Sequence, residues 1–196
     1  MRDFLITKLR RFLASRTIWA MGDQGMVSLG NFAVNIILAR NVSPSDYGFY
    51  TLIISVFYLL QGLHGSVVNY PMILKIARES PEKSAQLTGM AITLTAAVMV
   101  VLVVGLAVFL SVIGQLPLLF WVALAFVAGR FQEVIRRALM AQLKHRQAAL
   151  GDAISYLGQA VAMLGILYFD HLSLPAVFLA IAATSALAFV DRKSVV

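Results

Sequence analysis

The sequence predicts an all-α integral membrane protein, a bundle of six transmembrane helices with both termini on the cytoplasmic side. Three observations carry this expectation. The chain is 60% hydrophobic and only 13% charged, with mean hydropathy +0.85, where soluble domains carry about a quarter charged residues. Its apolar residues fall into six segments, near 18–39, 47–70, 86–113, 116–138, 147–169 and 173–190, each close to the ~20 residues a helix needs to cross a bilayer. The connections between them alternate between charged and nearly uncharged. Fifteen of the 16 Lys and Arg fall on one side and Arg40 alone on the other, which by the positive-inside rule places that side in the cytoplasm. The net charge of +7 is thereby assigned to topology, and no nucleic-acid partner is expected.

In chain order, residues 1–16 interleave five basic residues with Phe4, Leu5, Leu9, Phe12 and Leu13. This pattern predicts an amphipathic leader on an anionic membrane face, or a plain cytoplasmic leader. The membrane bundle is expected over 17–190 and a cytoplasmic tail over 191–196.

The first span is striped. Gln24, Ser28, Asn31 and Asn35 recur at spacings of four, three and four, on one helical face. Buried amides need partners, so this face is expected to meet protein or a water-filled cavity, not lipid. Asp23, beside the stripe, is either a coupling-ion or proton site or an interfacial acid near the cytoplasmic end.

Arg40 closes this helix, where a cation complements the carbonyl end. Ser43, Pro44 and Asp46 open the next with an N-cap, a proline at the first helical position and an acid at the third. Tyr47 and Tyr50 are expected at the membrane interface. On the second span Gln61 and His64 share a face with Tyr58. Gly62 and Gly65 beside them suggest close helix approach as readily as substrate contact.

Near the end of the fourth span, Arg130, Glu133 and Arg137 can form an internally neutral ladder; alternatively Arg130, the deepest, points into a cavity and attracts a phosphate. The fifth span carries a second stripe, Asp152, Ser155, Tyr156 and Gln159, with Asp152 a further coupling-ion candidate. Two striped helices imply a shared hydrophilic interior. In the sixth span Ala176, Ala180, Thr184 and Ala188 form a small-residue ladder suited to packing.

No enzyme is expected. The chain has no cysteine, its histidines at 64, 145 and 171 are scattered, and it holds no phosphate loop, nucleophile elbow or paired carboxylates. No cofactor or metal is expected either.

The stretch Leu38-Ala-Arg-Asn-Val-Ser-Pro-Ser-Asp-Tyr-Gly-Phe-Tyr-Thr-Leu52 resembles the link between the first two helices of polysaccharide and O-antigen flippases, the Wzx-like branch of the multidrug/oligosaccharidyl-lipid/polysaccharide (MOP) exporter superfamily. The order of the spans is also similar. This resemblance implies one six-helix lobe of a two-lobe flippase in the bacterial inner membrane, moving a lipid-linked oligosaccharide through a central cavity. It also implies a partner, either a second copy or another six-span chain, since the chain matches only the family's N-terminal half. The alternatives it leaves are half of a drug or cation antiporter using Asp23 or Asp152, a non-transporting assembly partner, and a truncated or split product. Arg130 aligns with no motif of that family.

Overall fold

The computed structural model describes residues 16–169 and 172–193, so the leader ahead of Arg16 lies outside the described residues. Six long helices make up the fold: α1 (Arg16–Asn41), α2 (Pro44–Ile76), α3 (Pro81–Val112), α4 (Leu119–Ala141), α5 (His145–Tyr168) and α6 (Leu174–Lys193). A 3₁₀ turn at Leu116–Leu118 leads into α4, and no strand occurs among the described residues. Because α6 runs to Lys193, the expected tail at 191–196 begins inside a helix.

Helices α2 to α6 are long and apolar enough to cross a membrane; α1 is long enough at 26 residues but not apolar enough. The expected six spans are therefore five by length and composition. The amides and Asp23 on α1 account for the difference. Outward-facing Leu59, Leu63, Val100, Val104, Val108 and Val161 give the bundle an apolar exterior, as a lipid solvent requires.

The helix ends follow local chemistry. Ser43 Oγ accepts from the Asp46 backbone N–H at 3.0 Å and donates to the Asp46 carboxylate at 2.8 Å, so the predicted cap between α1 and α2 forms. Helix α3 ends in a Schellman turn. The Gln115 N–H reaches the Leu110 carbonyl and the Gly114 N–H that of Ser111, with Gly114 at φ +70°. Helix α4 ends in the same way, Lys144 N–H to Leu139 and Leu143 N–H to Met140, but here a leucine occupies the left-handed position at φ +61°. Leu143→Gly is expected to raise stability by about 0.5–1 kcal/mol, since glycine adopts this conformation without a Cβ clash. Equilibrium unfolding in mixed micelles would measure it, and any loss of stability would contradict it.

Two helices contain a five-residue π turn, Gly65–Asn69 in α2 and Ala153–Leu157 in α5. The first lets α2 pass Pro71, whose ring crowds the preceding turn and which has no N–H to donate. The helix consequently continues to Ile76 instead of stopping near residue 70.

Helix α6 packs along α4 and also on α5, which carries α1 on its other side; α3 lies on α4, and α2 on α3 and α4. Val34, Leu38, Ile53, Leu106, Leu110, Phe126, Met163 and Phe178 build the main core, toward the end of the bundle where α1 turns into α2. Tyr50 is buried in it with its ring 6.1 Å from that of Phe178. It faces the protein interior, with its ring stacked 6.4 Å from that of Tyr47. The α6 ladder does pack, with Ala180, Thr184 and Ala188 buried.

Candidate functional site

Helices α1, α2, α4, α5 and α6 enclose a cavity of about 300 Å³. Its middle is aromatic, with Phe57 and Phe126 ring centroids 5.0 Å apart. Toward the α1–α2 turn it is lined by Asn31, Asn35 and Tyr50, and toward the other end by Arg130, Glu133, Arg136 and Arg137. Among the described lining residues, only Gln24 on α1 and Tyr58 on α2 are exposed. They mark the rim where these two helices touch least.

The α1 stripe therefore faces a cavity, with one correction. Gln24, Asn31 and Asn35 line it, whereas Ser28 is exposed and does not, because the cavity takes Val27 from that turn instead. Asn35 is held in place, donating to the Asn31 carbonyl at 2.8 Å and accepting from the Tyr47 hydroxyl at 3.3 Å.

The second stripe divides. Tyr156 and Gln159 line the cavity, and Ser155, fully buried, lines it while donating to Gln132 at 3.0 Å. Asp152 does not line it. The π turn of α5 begins directly after Asp152, and an inserted residue rotates the remainder of the helix by about 100°, so the four residues no longer share a face. Gln61 reaches the cavity, but His64 is turned away and fully buried, its Nε2 3.0 Å from the Thr95 hydroxyl of α3. The expected close approach at Gly62 and Gly65 is absent, with nothing within 4 Å of a Cβ at either. It occurs instead at Gly30, where a Cβ would lie 2.6 Å from the Tyr156 carbonyl oxygen.

One end of the cavity is walled by a buried ion network centred on Arg136. Its guanidinium donates to Asp23 at 2.7 Å through Nη2, to Asp152 through Nε, and to Glu133 at 3.5 Å through Nη1. Arg137 donates to the other oxygen of Glu133 at 2.6 Å. Asp23, placed near one end of α1 as expected, is 2% exposed and is held in the protein interior by its ion pair with Arg136. The ladder expected on α4 forms only between Glu133 and Arg137.

Arg130 stands apart from the network. It lies 5.6 Å over the Phe126 ring, and its Nε and Nη1 are buried without a hydrogen-bond partner among the described residues. Five guanidinium donors in a fixed fork suit a tetrahedral or planar oxyanion, and a cation–π contact leaves those donors unspent.

Sequence reasoning does not single out Arg136 or Gln132, reads Glu133 only as a rung of the α4 ladder, and counts Arg136 among the cytoplasmic charges. Helix depth is the missed signal. Asp23 is the eighth residue of α1 and Asp152 the eighth of α5, while Arg136 is the sixth from the end of α4. Helices entering from one side bring such residues to one level. No known protein family, curated protein or solved structure matches this chain.

Proposed function

We propose that the chain is a transport lobe that moves a lipid-linked oligosaccharide across the bilayer, handling the anionic diphosphate of that substrate at Arg130. The observation that carries this reading is the buried, unpartnered edge of Arg130 in a cavity whose other charges are paired. An amide- and tyrosine-lined end suits sugar hydroxyls, and the exposed rim between α1 and α2 suits a substrate whose lipid tail stays outside. The Leu38–Leu52 resemblance supports the same reading, with the second lobe supplied by another copy or another six-span chain. A cation antiporter based on Asp23 or Asp152 has less support, since Arg136 already binds both carboxylates.

Arg130→Gln is expected to slow transfer of a lipid-diphosphate oligosaccharide in proteoliposomes by at least about tenfold, the worth of a lost charge-assisted hydrogen bond. Arg130→Lys should recover part of it. Unchanged transfer by folded Arg130→Gln protein would remove the reading.

A further inference from the structure

A second hollow, of about 140 Å³, lies between the far end of α2 and α3, outside the cavity. Val67 and Val68 of the π turn line it. Where Gly65–Asn69 widens to let Pro71 into the helix, the Tyr70 N–H bonds back to the Gly65 carbonyl, and Val67 and Pro71 stand off from Met90 and Leu94 of α3. Val67, Met90 and Leu94 are exposed, so the groove opens on the apolar exterior of the bundle.

One end of the groove carries a cation. Lys75, in the last turn of α2, lines it and is exposed. Among the described residues no ion pair holds Lys75, because the nearby Glu79 is bound by Lys83 at 3.3 Å. Arg78, one turn further on, is also exposed.

We propose that this groove holds one acyl chain of an anionic glycerophospholipid whose phosphate is bound by Lys75. An apolar trough with a single cation at its end matches such a lipid in polarity and in order, chain first and headgroup second. Flexible Met72 and Met90 can close around a chain. The site is independent of the transport reading, since it shares no residue with the cavity.

Native mass spectrometry of the purified protein, equilibrated with equal amounts of phosphatidylglycerol and phosphatidylcholine, tests this. Phosphatidylglycerol should be retained in about fivefold preference, the worth of one lysine at an anionic headgroup. Lys75→Gln should abolish the preference, Met90→Trp should reduce retention of both lipids, and Arg40→Gln, at the opposite end of the bundle, should leave the preference as it was. Equal retention of the two lipids by the unsubstituted protein, or a preference that survives Lys75→Gln, overturns the proposal.

Discussion

Replacing Arg136 with Met is expected to destabilise the protein by about 3–5 kcal/mol, because it removes from the interior the one cation that bridges Asp23 on α1 and Asp152 on α5. The two aspartates are 2% and 0% exposed, too far from water to recover the lost pairing by solvation. The same principle makes a second, opposite expectation. Removing the carboxylates together with the cation deletes the charge that needed a partner, so Arg136→Met combined with Asp23→Asn and Asp152→Asn should recover more than half of the loss. Thermal or denaturant unfolding of the single and triple variants in lipid–detergent micelles measures both. If Arg136→Met unfolds like the parent, the network does not hold α1, α4 and α5 together.

Gly30→Ala is the other large effect, at about 3 kcal/mol. A methyl at this position would lie 2.6 Å from the Tyr156 carbonyl oxygen, 2.7 Å from its carbon and 2.8 Å from its Cβ. Two of these three atoms are backbone, so no rotamer change relieves the clash; α1 and α5 must separate, at the cost typical of overpacking. Tyr156 belongs to the π turn that lines the cavity, so separation also deforms the site, and transport should fall further than stability does. Gly25→Ala on the same helix is the control. Nothing lies within 4 Å of its Cβ, and the gain in helix propensity should make it neutral or stabilising by up to about 1 kcal/mol. Equal behaviour of the two variants would mean that α1 and α5 are not in backbone contact at Gly30.

Both residues show where reading along the chain stops. Glycine at position 30 carries no mark that separates it from Gly25 or Gly62; its role is conferred by the carbonyl of a residue 126 positions later. Arg136 sits near a helix end among other basic residues, and a count by side treats it as a loop charge. Three of the fifteen charges in that count, Arg130, Arg136 and Arg137, lie along the cavity, so the topology signal rests on the other twelve.

Reading along the chain reaches what neighbours within about one helical turn set. These are the all-helical class, the positions of the helices to within about six residues at their ends, the Ser43–Asp46 cap, and the cavity-lining face of Gln24, Asn31 and Asn35. Each follows from hydrogen bonds or periodicity between residues no more than a few positions apart. The tertiary structure alone decided what stands opposite those faces. It paired Arg136 with Asp23 and Asp152, left two nitrogens of Arg130 without a partner, and turned His64 toward Thr95. It also broke the second stripe after Asp152, because a π turn inserts a rotation of about 100° into a face that 3.6-residue periodicity carries on unchanged. A period says which residues share a side; only packing says which helix that side meets.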